Sequence, residues 1–264
     1  IAALMEAAGL PRAAHQVLTG SGEVIGDFLA KSPGIQMVTV TGSTAVGIRI
    51  SELAARHLKK VHMELGGNDA TILCADADLE KAAEAIVLGR LARGNGQICC
   101  AVKRVFVDTQ VYDRFAEILA QKAKALKVGD QLAEDTDVGP LISEQAARKV
   151  EELIKDAVQA GATLKAGGGR RNAFIEPTIL TNLPLQVKLF CEETFGPVVP
   201  LVPFQTIAEA ITMANDSPYG LQAAVFTKDI SHAFDIAYQL EAGGVIIKWS
   251  SAVRAENLPF GGIK

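Results

Sequence analysis

The chain has 264 residues, 49% of them hydrophobic and only 5% aromatic, enough apolar sequence to bury a substantial core in one large domain or two smaller ones. A formal net charge of −4 excludes a broad basic face for nucleic acid, and without a run of 18 apolar residues nothing reads as a membrane span. The four cysteines, Cys74, Cys99, Cys100 and Cys191, lack paired extracellular spacing, so free thiols in a reducing cytoplasm are expected.

Residues 1 to 65 alternate between the two periods: a helix to 8, a strand near 16 to 18, a helix from 21 to 30, a strand at 36 to 41, a helix through 55 and a strand at 60 to 65. A second series starts after Gly66-Gly67, with a strand at 69 to 74, a helix at 78 to 92, a strand at 103 to 107 and a helix at 110 to 126. Past a polar loop from Gly129 to Pro140 comes a helix at 143 to 159, then strands in FIEPTIL, VVPLVPF, LQAAVFT and GGVIIKW, with helices at 206 to 214 and 230 to 241. Such alternation predicts an α/β fold with a parallel sheet, helices on both faces, and ligands at the carboxyl ends of the strands. The glycine pair is the expected domain boundary, giving 1–66 and 67–264. Ile1 already lies inside a helical pattern and Lys264 falls in a glycine-rich turn, so a fragment is expected.

Four short stretches contain residue types that carry chemistry. In VTVTGSTAVG, Gly42 permits a tight turn and the helix start at Ser43 and Thr44 suits a pyrophosphate, although the same pattern serves as an ordinary capped strand-to-helix turn. In HMELGGND, Glu64 ends an apolar strand, where it is either a general base or an exposed strand-end carboxylate, and His62 reads as a structural neighbour rather than a partner. In GNGQICC, a cysteine behind a glycine loop is either an exposed nucleophile or a small buried space-filler. In CEETFGPVVP, a glutamate can accept bonds from a ribose diol and a phenylalanine can flank a flat ring, or both are simply solvated. No metal site is expected.

Taken together and in order, TGSTAVG, MELGGN, GNGQICC, EETFGPV and LPFGGIK resemble the motif series of the NAD(P)-dependent aldehyde dehydrogenase superfamily. The resemblance covers essentially the whole chain and implies the remainder of a Rossmann-like parallel sheet (1–66), followed by an α/β catalytic domain (67–264). In the family the catalytic cysteine is the second residue after the glutamine, which selects Cys99 and leaves Cys100 as its neighbour. The resemblance further implies that Cys99 attacks an aldehyde carbon, that the thiohemiacetal is oxidised to a thioester, and that Glu64 activates the water that releases a carboxylic acid. Gly42, Ser43 and Gly47 match the turn facing the cofactor phosphates. Leu65 and Gly66 belong to the stretch lining the nicotinamide pocket, while Glu193 and Phe195 match the residues holding the nicotinamide ribose and supporting the ring. The implied cofactor is NAD or NADP, and the implied assembly is a homo-dimer or homo-tetramer in the cytoplasm. Two other readings stand beside oxidation to an acid: a CoA-acylating relative and a non-catalytic structural or binding member. Lys248 departs from the pattern, since the family usually has asparagine there.

Overall fold

The computed structural model describes residues 1–264, the side chain of Arg12 excepted. The chain forms two compact units, Ile1–Leu65 and Gly66–Lys264, a division one residue earlier than the glycine pair suggests. Gly66 belongs to the second unit, where a Cβ on it would run into Glu193 Oε2.

The first unit contains helices α1 (Ala2–Ala7), α2 (Gly22–Lys31) and α3 (Thr44–Ala55) and a pair of parallel strands, β1 (Met37–Thr41) and β2 (Lys60–Glu64). No strand forms at 16 to 18; that stretch is exposed, with no regular secondary structure and no ladder partner. Three apolar-leaning residues cannot hold an extended conformation without backbone pairing. Ala30, Ile50 and Ala54 are buried where α2 and α3 meet.

The second unit is built on a seven-stranded sheet. Its strands are β3 (Ala70–Leu73), β4 (Arg104–Asp108), β5 (Thr163–Ala166), β8 (Thr178–Thr181), β9 (Val198–Phe204), β10 (Gln222–Phe226) and β11 (Gly244–Ile247). The order is β11-β10-β3-β4-β9-β8-β5, parallel throughout except for the antiparallel edge pair β5 and β8. A separate hairpin, β6 (Arg170–Arg171) and β7 (Phe174–Ile175), interrupts the run read as the single strand FIEPTIL.

Alternation along β4 shows why this sheet is covered on both sides. Phe106 enters one core with Val150 and Ile154 of α6 (Glu144–Gln159), while Val105 and Val107 enter the other with Ile86 of α4 (Leu79–Ile86) and Phe115 and Leu119 of α5 (Tyr112–Ala125). Helices α7 (Lys188–Cys191), α8 (Ile207–Asn215) and α9 (Ile230–Gln239) complete the unit. Among the described residues no helix is long and apolar enough to cross a membrane.

The helix expected over 78 to 92 spans that stretch but changes type within it. It ends as α4 at Ile86 and continues as a π-helix over Val87–Ala92, followed by a turn in which Gly94, Asn95 and Gly96 take φ of 62°, 53° and 70°. The widened turn accommodates Gly89, whose Cα lies against Ser250 so closely that no Cβ fits. Such π-turns cluster at functional sites.

Lys248, immediately after β11, has φ 62° and donates its N–H to Val225 O at 2.8 Å. Its exposed ammonium reaches Lys228 O at 3.5 Å, so no charge is buried by placing lysine here. The left-handed backbone favours asparagine. Lys248→Asn is therefore expected to raise stability by up to about 1 kcal/mol, read as a higher urea midpoint at unchanged m-value.

Candidate active site

In the first unit, the sequence-predicted residues gather at the carboxyl ends of two parallel strands. Thr41 pairs with Glu64, and Gly42 N–H donates to Glu64 O at 3.0 Å. Ser43 caps α3, its Oγ accepting from Val46 N at 3.3 Å, so the positive end of the helix faces the same edge. On α3, Gly47 lies against Leu65: an added Cβ would sit 2.6 Å from Leu65 Cδ2. His62 Nε2 approaches Glu64 Oε1 to 3.3 Å, so these two side chains meet, closer than the sequence reading of a mere neighbour.

In the second unit the arrangement is opposite to the expected one. Gly67 to Asp69, Lys103, Glu193 and Gln222 all lie at or just before the starts of β3, β4, β9 and β10, at the amino edge of the sheet. Cys99 lies at this edge because it belongs to the segment that leads into β4, and the π-turn and left-handed residues 94–96 shape that segment. Asn95 ties that loop down: its Nδ2 donates to Gly139 O and Pro140 O at 2.9 and 3.0 Å, and its Oδ1 accepts from Gly139 N at 3.2 Å. The fully buried Arg90 donates to Gly96 O at 3.2 Å and Val198 O at 2.8 Å, and Gln97 Oε1 accepts from Ile142 N at 2.9 Å.

The two adjacent thiols differ sharply. Cys99 is half-buried and Cys100 is buried, with the Cys100 carbonyl held by Ser251 Oγ at 2.9 Å. A hydrogen bond from the Cys100 side chain, joined by the Cys100 backbone N–H and the charge of Lys103, pulls the Cys99 thiol down to about 6 against the opposing effects of burial and Glu193. The same hydrogen bond and burial push the Cys100 thiol up. Cys99 is thus a thiolate at neutral pH while Cys100 stays protonated.

Glu193 Oε1 accepts from Gly67 N at 2.8 Å and from Lys103 Nζ at 3.0 Å. Lys103 also donates to Ile98 O at 3.2 Å and to Cys99 O, and its Nζ lies 5.3 Å from the centroid of the Phe195 ring. That ring is 42% exposed. A Cβ on Gly67 would come within 2.7 Å of Cys99 O, so the glycine pair lets the chain pass beneath both the cysteine and the glutamate.

Sequence reasoning missed Lys103, Asp69 and Arg90, all buried. Burial pushes the Asp69 carboxyl up to about 8, against the charge of Lys103 and the Gln222 N–H it accepts. Separately, Arg93, Cys100, Arg254, Glu256 and Phe260 line a cavity behind the 94–100 loop. Arg254 stacks over Phe260 at 5.4 Å and meets Glu256 at 3.3 Å. No group of three or more His, Cys, Asp or Glu side chains forms a metal site among the described residues.

Comparison with known proteins adds an independent line. The model of the aldehyde dehydrogenase family matches residues 1–264. The 3-sulfolactaldehyde dehydrogenase of Priestia aryabhattai is 44% identical over 264 residues, covering 100% of this chain and 55% of that protein. The succinate-semialdehyde dehydrogenase [NADP(+)] GabD of Escherichia coli is 42% identical over 267 residues, with 100% and 55% covered. Among solved structures, a glyceraldehyde-3-phosphate dehydrogenase GapN from Methanocaldococcus jannaschii, complexed with NADP, superposes with a TM-score of 0.93 at 41% identity, covering 98% of this chain and 56% of that one. The chain spans about half the length of the curated relatives it matches.

Proposed function

We propose, because the chain belongs to the aldehyde dehydrogenase family, that the protein oxidises an aldehyde to a carboxylic acid with NAD+ or NADP+, using Cys99 as nucleophile. The observation that carries this reading is the lowered Cys99 thiol on a loop bonded through Lys103 to Glu193. On this reading Ile1–Leu65 is the C-terminal part of a dinucleotide-binding domain and Gly66–Lys264 the catalytic domain.

The residues present fit a dinucleotide. In the first unit Gly42 and the capped start of α3 offer an anion site with Gly47 packed closely behind it, and the resemblance assigns Leu65 and Gly66 to the nicotinamide stretch. Glu193, fixed at one oxygen, is oriented to accept from a ribose diol, and the exposed Phe195 ring offers a face to a flat ring. The chemistry a bound NAD+ or NADP+ supplies is hydride acceptance.

The Cys99 thiolate adds to the aldehyde carbon, giving a thiohemiacetal whose oxyanion the Cys99 N–H can meet. Cys99 carries the adduct as a thioester once it is oxidised. Glu64 takes a proton from water, the resulting hydroxide adds to the thioester carbonyl, and collapse releases the acid and the Cys99 thiolate. His62, 3.3 Å away, orients the carboxylate.

Glu64→Gln is expected to slow steady-state turnover about 100-fold while leaving a first-turnover burst of reduced nicotinamide, because only hydrolysis loses its base. A burst lost together with turnover would remove Glu64 from this role. Turnover that instead requires CoA would favour the acylating relative.

Arg93, in the cavity behind the loop where Arg254 is already paired with Glu256, favours an aldehyde with an anionic tail, in keeping with the sulfonate and carboxylate aldehydes named for two relatives. The function is tested by assaying the complete protein with neutral and anionic aldehydes and either cofactor, following reduced nicotinamide; no reduction with any aldehyde overturns it. We place the enzyme in the cytoplasm as a homo-dimer or homo-tetramer. Exposed Ile230, Phe234 and Tyr238, four residues apart on α9, give a stripe suited to self-association.

A further inference from the structure

We propose that Lys103 is a positioning residue of the nucleophile loop: its buried ammonium joins the Ile98 and Cys99 carbonyls to the Glu193 carboxylate, holding the cysteine in register with that carboxylate and setting a positive charge beside the sulfur. The proposal rests on the reading of Cys99 as nucleophile and Glu193 as ribose acceptor.

The geometry identifies the protonation state. A lysine ammonium has three donors and no acceptor, and Lys103 Nζ has three oxygens in reach: Ile98 O at 3.2 Å, Glu193 Oε1 at 3.0 Å and Cys99 O. A neutral amine would leave one of them without a proton. The side chain is 1% exposed, so holding a charge here is costly unless each proton is used.

Burial disfavours the charged form of Lys103, while Asp69 and Glu193 favour it. The other groups around it are accounted for. Arg90 adds a like charge but donates to Val198 O and Gly96 O, away from the sulfur. Arg104 donates to the Asn68, Met213 and Ala214 carbonyls. Asp69 lies behind, its backbone O accepting the Lys103 N–H at 3.1 Å, and its carboxyl is pushed up to about 8 by burial. Cys100 is pushed up and remains a thiol. Lys103 is therefore the cation bonded to the Cys99 peptide, and its charge favours the thiolate.

A methionine would fill the same space without this cost, so packing alone does not call for lysine. Two consequences follow from the bonds it makes. Losing the ammonium removes a charge that stabilises the thiolate and frees Glu193 from one of its two fixed contacts.

The test is the pH profile of iodoacetamide alkylation in the complete protein, with Cys99 and the exposed Cys191 quantified by peptide mass mapping. In the unsubstituted protein Cys99 is expected to react faster than Cys191 down to about pH 6. In Lys103→Met the Cys99 profile is expected to move up by about one pH unit, slowing alkylation near pH 6 several-fold, and the KM for NAD(P)+ is expected to rise several-fold. A double variant, Lys103→Met with Glu193→Gln, removes the paired charges together and guards against misfolding of the single one; it is expected to show a smaller upward shift, because the lost Glu193 charge had opposed the thiolate. Slow Cys99 in the unsubstituted protein would sink the nucleophile reading itself. Fast Cys99 there, with an unmoved profile in either folded variant, overturns the role of Lys103 alone. If neither variant folds, Lys103 is a structural lysine and the proposal is likewise overturned.

Discussion

Cys99→Ala is expected to lower aldehyde turnover about 10,000-fold or more, although three other cysteines remain. Cys100, adjacent in sequence, cannot take over: its thiol is buried, pushed up by its bond to Cys99, and its carbonyl is anchored on Ser251. Cys74 is buried and pushed up to about 12. Cys191, on α7, is exposed, but its sulfur donates to Leu185 O at 3.2 Å, away from the 94–100 loop. The sign of the pH dependence follows from the same sulfur. With the Cys99 thiol pulled down to about 6, the thiolate dominates at pH 7, and turnover falls as pH drops through 6 and the sulfur is protonated. Steady-state rates of Cys99→Ala between pH 5 and 8, beside the unsubstituted protein, check both points. Residual turnover within tenfold of normal would move the nucleophile elsewhere.

What sequence could and could not reveal divides by the range of the interactions. Helices α5 and α6 and strands β9 and β10 follow from local periodicity, because each buries a face that its own spacing defines. The strand β5 was missed because TLKA at a sheet edge is half exposed and carries little alternation. The helical span over 78 to 92 follows from periodicity, but its change to a π-helix at Val87 does not, nor does the approach of Ser250 to Gly89 from 161 positions along the chain, which no window around Gly89 contains.

The site shows the same division. Cys99 and Glu193 were reached only through the resemblance of GNGQICC and EETFGPV to the family's motifs, since the residues themselves left a nucleophile and a buried space-filler equally open. Lys103, inside AVKRVFV, looks like a solvated charge at a strand start; its ion-pair partner is 90 positions away. Placement at the amino edge of the second sheet also escaped, since the general expectation for parallel sheets points to the carboxyl ends. It holds for β1 and β2 and not for the second unit, where these residues lie on the segments leading into β3, β4, β9 and β10.

Gly96→Ala is the substitution expected to disturb this loop most, destabilising the protein by about 4 kcal/mol. Gly96 has φ 70°, a conformation that costs an L-residue about 1 kcal/mol or more. Its missing Cβ points at backbone, not at a side chain that could swing away: the nearest atoms are Gly196 O and, at 2.8 Å, Arg90 O. Relief would require the 94 to 96 turn to move from the segment leading into β9, breaking the Arg90 bonds to Gly96 O and Val198 O and leaving a fully buried guanidinium short of acceptors. Because Cys99 and Glu193 each lie three residues from these touching backbones, a turn that shifts to admit a methyl group separates Cys99 from the Glu193 carboxylate before the domain unfolds. Urea unfolding of Gly96→Ala is expected to show a much lower midpoint, and at low urea, where it is still folded, Cys99 alkylation near pH 6 is expected to be slower than in the unsubstituted protein. A normal midpoint with normal Cys99 reactivity would mean that the loop is not packed against the β9 lead-in as described.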